Sequence, residues 1–403
     1  DKVLHRWRRE LGLNDMSMDK LEPFFQKVEE RINVAPQSPE SLGRGDMMFR
    51  KAADKLGWLI HPNKRNQKNC CGEGMCVFGC PTDRKQSVLI TYIPRALNHG
   101  ARLYTDVKIK KVNVKNRVAT GVSGQFLDRA TAKKLPYLLT VNAKVTVLAG
   151  GALQTPVMLM NSGIKGAGQV GKNFHCHPNV KCVGIFDHEV NYWKGVHQGH
   201  QIHEFIDEGI LMAVGVVHPA LTALSFPQIG QDSLELLEQW NNMLVVGALV
   251  DDTTTGHISK APWGEPLPHY QLDHVERERL IRAAALLSEL LFTAGAKRVL
   301  LPFSSLTEIK SMDEITKIYD YGIKLSEMEV LTVHALATCR MSANPKRGVV
   351  NPIGESWDVE KLFIADGSIV PSSLGVNPQE TIMALSTRTG QFILENKKKY
   401  LGR

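Results

Sequence analysis

The first clear amphipathic period lies at 18–33, MDKLEPFFQKVEERIN. Leu21, Phe24, Phe25, Val28 and Ile32 form one apolar stripe of a helix, with the charges on the opposite face. A Pro-, Ser- and Gly-rich stretch, 35–46, breaks that period and predicts a loop, with a short helix near 47–56. The cysteine-rich stretch 69–81 comes next, and SVLITYIPRALN, 87–98, predicts a helical or mixed segment ending at Gly100. From 101 to 149 the period changes to two. Val107, Ile109, Val112 and Val114 alternate with lysines, and RVATGVSGQF and PYLLTVNA come after turn residues. This predicts three half-buried antiparallel strands in a meander. KVTVLAGGAL is continuously apolar up to two glycines, so a fully buried strand, a tight turn and a short helix are expected there. Between 180 and 300, VKCVGIF, LMAVGVV and NMLVVGALV read as strands. Leu280, Ile281, Ala284, Leu287 and Leu291 mark a helix over about 273–294, with Gly295 as its stop.

A chain of 403 residues supports two domains, or one large domain with an insertion. Its composition, 43% hydrophobic and 22% charged, is globular and excludes wholesale disorder. No apolar run approaches the ~18 to 20 residues of a membrane span, and DKVLHRWRRE at the start is charged, unlike a signal peptide. Both observations favour a cytoplasmic setting. The net charge of +8 is spread along the chain apart from Lys397 to Lys399, and no basic–aromatic stripe points to nucleic acid. Seven cysteines are too few for a disulfide scaffold, but Cys70, Cys71, Cys76 and Cys80 cluster.

Residues 166–171, GAGQVG, have the G-x-G-x-x-G spacing of a pyrophosphate cradle. That cradle must sit between a strand and a helix. Here a helical segment precedes it, and Pro178 and Asn179 interrupt the segment after it, so a glycine-rich connection is expected instead. Asn377-Pro378-x-Glu380 reads as a helix start with Asn377 as N-cap, Pro378 at N1 and Glu380 at N3.

The C-terminal segments HALATCRM (334–341) and LFIADGSIVPSSLGVNPQETIM (362–383) together resemble the glucose–methanol–choline family of flavin-dependent alcohol oxidases and dehydrogenases. His334 ahead of Cys339-Arg340-Met341, then Gly348-Val349-Val350, Ala365-Asp366-Gly367-Ser368 and Gly375-Val376-Asn377-Pro378, stand in that family's order. GALQTPVMLMNSGI, 151–164, resembles a second signature of the family, departing from it at Lys165. Val170-Gly171-Lys172-Asn173-Phe174 with His177-Pro178 is similar to the loop beyond that signature. Lys85-Gln86-Ser87 and Tyr92 resemble its cholesterol-oxidase-like branch, and a long-chain-alcohol-oxidase-like branch fits as well.

The resemblance implies a mixed α/β fold. A Rossmann-like FAD-binding domain would comprise 66–180 and 331–403, preceded by a helical segment, 1–65. A substrate domain, 181–330, would carry an antiparallel sheet flanked by helices. It further implies FAD as cofactor and a hydrophobic or bulky alcohol as substrate, oxidised at its CH–OH group by hydride transfer to flavin N5. His334 would be the base and Asn377 a fixed amide holding the substrate oxygen. Val107, Ala149, Gly150, Asp366, Gly367, Asn377 and Pro378 would contact the flavin cofactor. The family's own glycine fingerprint and its N-terminal βαβ unit are missing from this sequence, which suggests a fragment or a separate N-terminal FAD-binding chain as partner. The alternatives are a hydroxynitrile lyase of the same fold and a non-catalytic fragment or partner subunit. Some relatives carry an iron–sulfur cluster near the position of Cys71, Cys76 and Cys80, although these lack C-x2-C spacing. His175 with His177, and His197, His200 and His203, are further metal-ligand candidates.

Overall fold

The computed structural model describes residues 2–216, 218–223 and 226–402. Two large hydrophobic cores and a small third one, around Val157, Phe174, Cys176 and Ile258, organise them. The first lies under a seven-stranded sheet in the order Glu308–Ile309, Arg298–Leu300, Asn179–Ile185, Met243–Val250, Ile210–Gly215, His200–Ile202, Ile60–Pro62, every neighbouring pair antiparallel. The three expected strands are its centre. One face packs on the helix His274–Thr293, whose Leu280, Ala284, Leu287 and Leu291 are buried against Met212, Val246 and Ala248 in the same core. That helix starts at the expected place, on a capping box formed by Asp273 and Glu276. The sheet's other face bounds a large cavity.

The second core joins the helices Lys2–Leu11 and Met18–Arg31 to the C-terminal segments around Cys339, Val350, Ile364 and Leu385. The first 65 residues are divided between the cores. The helix Arg44–Leu56 contributes Phe49, Ala52 and Ala53 to the first core, while the two preceding helices serve the second. The meander forms as expected from strands Val107–Lys115, Val118–Leu127 and Lys134–Asn142. Its third strand is mostly exposed rather than half-buried: the helix Gly151–Asn161 packs on the first strand, at the opposite edge of the sheet.

Thr146–Leu148 pairs in parallel with Leu362–Ile364, and the helix Gly151–Asn161 comes directly after the double glycine's first residue. Full burial was expected of this strand, yet Val147 is 47% exposed: in this two-stranded sheet it has one neighbour only among the described residues. GAGQVG is a connection. Its first three residues form a 3-10 turn, the Gly166 amide donates to the Asp358 carboxylate (2.7 Å), and Gly171 lies so close to the Ile258 carbonyl that a Cβ would stand 2.4 Å from it. A carboxylate of the chain itself thus takes the amide that a phosphate would need. No helix among the described residues is long and apolar enough to cross a membrane.

Candidate active site

The parallel strand pair places the expected cofactor residues. Ala149 and Gly150 stand beyond the carboxyl end of Thr146–Leu148, and Ala365, Asp366 and Gly367 beyond the carboxyl end of Leu362–Ile364. In open α/β sheets this is the end at which ligands bind. Asp366 braces the two turns. Its carboxylate accepts from Gly151 N (2.9 Å), Thr155 Oγ1 (2.5 Å), Ser368 N (2.8 Å) and Ser368 Oγ (2.5 Å). Gly367 lies against the backbone beside His334, where a Cβ would come 3.0 Å from the Ala335 carbonyl oxygen. Val107 stands on the meander strand against which the helix Gly151–Asn161 packs, an association held by Val112 N donating to Ser162 Oγ (2.8 Å).

His334 and Asn377, 43 residues apart in sequence, meet with Asn377 Nδ2 3.5 Å from His334 Nε2. The local cap signal at Asn377 does not operate. The helix begins at Gln379, Pro378 occupies the cap position, and no side chain caps it. The Asn377 amide faces the site instead, its Oδ1 accepting from Gln201 Nε2 (3.2 Å). Burial lowers the His334 pKa and favours its neutral imidazole.

Behind His334 lies His177, its ring centroid 5.5 Å away in an edge-on arrangement. His177 is fully buried, and its Nε2 accepts from Leu374 N (3.0 Å) and Gly375 N (3.3 Å), so the neutral ring carries its proton on Nδ1. Burial pulls its pKa down to about 4. Asp252 holds the loop that presents His177. The carboxylate accepts from Cys176 N (2.9 Å), His177 N (3.3 Å) and Tyr270 Oη (2.9 Å), and stands 3.3 Å from His175 Nδ1. These donors lower its pKa to about 2 in spite of burial. The adjacent positions of Asp251 and Asp252 are some 75 residues from His175 and His177, and no local pattern links them in the sequence.

From His334 and Asn377 a cavity of about 490 Å³ extends over the free face of the large sheet. Its floor tracks the strand register. Gln201, Ala213, Gly247 and Lys181 stand in one row across four strands, and Leu211, Leu249 and Asn179 in the next. The small side chains at Ala213, Gly215 and Gly247 keep the middle of the floor low.

The metal-ligand expectations do not converge. Among the described residues one group of three or more potential ligands lies close together, His177 with Asp251 and Asp252, and the Cys71, Cys76 and Cys80 thiols form no such group. The Nε2 of His177 is already taken by two amides. His200 bonds Asp46 through Nδ1 (2.6 Å), His197 Nδ1 lies at the Val216 backbone (3.0 Å), and His203 packs edge-on against His61. Strand and loop geometry thus sends the three histidines to separate partners, where an i, i+3, i+6 helix would have aligned them.

The N-terminal model of the GMC oxidoreductase family matches residues 1–179, and its C-terminal model matches residues 253–386. The first match leaves the expected separate N-terminal FAD-binding chain without support. An uncharacterized GMC-type oxidoreductase of Mycobacterium tuberculosis is 31% identical over 385 residues, 95% of this chain and 60% of that protein. A long-chain-alcohol oxidase of Arabidopsis thaliana is 27% identical over 447 aligned positions, 99% of this chain and 56% of its own length. The chain therefore spans somewhat over half the length of these two relatives. The formate oxidase of Aspergillus oryzae, studied for the modification of its FAD, superposes with a TM-score of 0.72 at 14% identity, over 99% of this chain and 82% of that one. With both family models matched in order on a mixed α/β fold, the chain belongs to the GMC oxidoreductases, a family of FAD-binding flavoproteins.

Proposed function

We propose that this chain carries the active centre of an FAD-dependent oxidoreductase that oxidises the CH–OH group of a hydrophobic alcohol. The observation that carries the reading is the pairing of His334 Nε2 with the Asn377 amide at one end of a largely apolar cavity. Two features fit a flavin. Small, exposed backbone positions, Ala149 and Gly150, stand at the carboxyl end of a parallel strand. The buried Nδ1 atoms of His177 and His334 also find no partner among the described residues, and such orphaned groups call for a ligand atom.

Val107, Ala149, Gly150, Gly367 and Pro378 would hold the cofactor, with Asp366 setting the turns that present their backbone. When bound, FAD supplies the acceptor for the hydride that leaves the carbinol carbon. His334 takes the hydroxyl proton, and burial keeps its imidazole unprotonated and ready to do so. Asn377, held in orientation by Gln201, donates to the substrate oxygen as negative charge develops there. In this reading the 181–330 region builds most of the substrate chamber, Leu331 to His334 and Asn377 help complete it, and the apolar wall excludes water from the reacting end.

The test is anaerobic mixing of the FAD-loaded protein with a hydrophobic alcohol while monitoring flavin absorbance. Bleaching is expected in the native protein. In His334→Ala it should slow by about 100-fold or more, the contribution of a general base, with FAD retained. Cyanohydrin cleavage without bleaching would make the protein a lyase, and failure to retain FAD would make it non-catalytic.

A further inference from the structure

The cavity has a second polar end. Among the described residues, Lys181 and Glu329 are the sole lysine and the sole carboxylate in its lining. Asn179 bridges Leu331 in antiparallel sense, the Glu329 amide donates to the Pro302 carbonyl (2.8 Å), and the Glu329 carboxylate lies near enough to act on the Lys181 ammonium. Lys181 and Asn179 share a face of their strand, and Lys181 ends the floor row that begins with Gln201. Gln201 holds Asn377, so the row runs from the reacting end of the chamber to the lysine. Three interstrand steps make it about 14 Å long between backbones. Ala213 and Gly247 fill the interval, so a flexible carbon chain can lie flat over them.

Burial and charge oppose each other at this end. Lys181 is half-buried, and its burial works against the ammonium more strongly than Glu329 works for it. Glu329 is solvent-exposed, so water weakens its hold on the lysine. The other titratable groups of the lining are His334 and His197. Burial lowers both, His197 to about 4, so neither offers a cation near neutrality. An anion arriving on the cavity side would find in Lys181 a partner that is partly desolvated and held on a rigid strand, the condition under which a charge-assisted hydrogen bond is strong.

We propose that the chamber selects alcohols bearing a carboxylate at the far end of a medium-length carbon chain, with Lys181 receiving the carboxylate while the hydroxyl lies at His334 and Asn377. This rests on the reading of the cavity as the alcohol chamber. It adds a selectivity residue, Lys181, and a rim carboxylate, Glu329, that disfavours the same ligand and so tunes its affinity.

Calorimetric binding of three eight-carbon probes to the purified protein tests this without requiring turnover: ω-hydroxyoctanoate, its methyl ester and octanol. The native protein should bind the acid at least about tenfold tighter than the ester, the lower bound for a hydrogen bond to a charged group. Lys181→Met should bring acid and ester to within about twofold, and Lys181→Arg should keep the acid preferred. Glu329→Gln should tighten the acid about threefold or more and leave the ester unchanged, a gain of function that misfolding cannot imitate. Equal affinity for acid and ester in the native protein, or an acid preference that survives Lys181→Met, overturns the proposal. Acid-selective binding with no flavin reduction by any alcohol would overturn the oxidoreductase reading and leave the carboxylate site standing. Flavin reduction by octanol with equal acid and ester binding would do the reverse.

Discussion

Replacing Asp252 by Asn tests how the loop behind His334 is held. The carboxylate is buried and uses both oxygens. Oδ2 serves Cys176 N, Tyr270 Oη and His175 Nδ1, and Oδ1 serves His177 N. An amide has one oxygen. If it takes the Oδ2 position, the NH2 group confronts the His177 N–H and leaves that buried donor unpaired, at about 1 to 3 kcal/mol. The bonds that survive pass from charged to neutral acceptor and weaken by roughly half. Together these give a loss of about 3 to 5 kcal/mol. The titration argues for the same order. A carboxyl held at about 2, against ~3.9 when unfolded, favours the ionised native form by about 2 to 3 kcal/mol. That contribution is complete above the unfolded pKa and disappears as pH falls towards 2, so the variant should lose this part of the acid dependence of stability. Urea unfolding at neutral pH, repeated at pH 3, measures both effects. Tyr270→Phe, which removes one donor and keeps the charge, should cost about 1.5 to 2 kcal/mol. A loss under 1 kcal/mol in Asp252→Asn, or equal losses in the two variants, would refute the claim that this carboxylate organises the loop.

The same geometry sets two further outcomes. The base must be unprotonated, and burial depresses the His334 pKa, so the acid limb of kcat/KM should lie below pH ~6.5 and be absent from the residual rate of His334→Ala; a limb at or above that pH counts against His334. A Cβ on Gly247 would meet only ordinary contacts, 3.4 Å from the Val180 carbonyl oxygen and 3.7 Å from Lys181 Cγ. Gly247→Ala should therefore leave stability unchanged or raise it by about 0.5 to 1 kcal/mol. It would also raise the chamber floor, so kcat/KM should fall several-fold for bulky alcohols and little for small ones. Equal changes for both would remove Gly247 from the floor.

Periodicity carried much of the fold. The helix at 18–33, the meander, the three central strands and the long capped helix were all legible, because each is a local pattern whose buried side the 3.6- or two-residue repeat declares. The rejection of GAGQVG as a phosphate loop was legible too, from its neighbours alone. Partner choice was not. Asn377 has every local mark of a helix cap, yet its amide turns to His334 and Gln201, since a cap is worth about 1 kcal/mol and tertiary placement can override it. The histidines at 197, 200 and 203 stand close enough in sequence to suggest a shared metal ion, and strand and loop geometry disperses them.

From its residues alone the chain specifies which segments are helix or strand and which side chains have the chemistry for proton transfer. Only the tertiary structure decides that His334 meets Asn377, that Asp252 braces His177, and that Lys181 ends a row begun by Gln201. The reason is physical. Secondary structure arises from contacts within a few residues, whereas these pairings depend on strand register and loop closure across tens to hundreds of residues, where no local repeat records the partner.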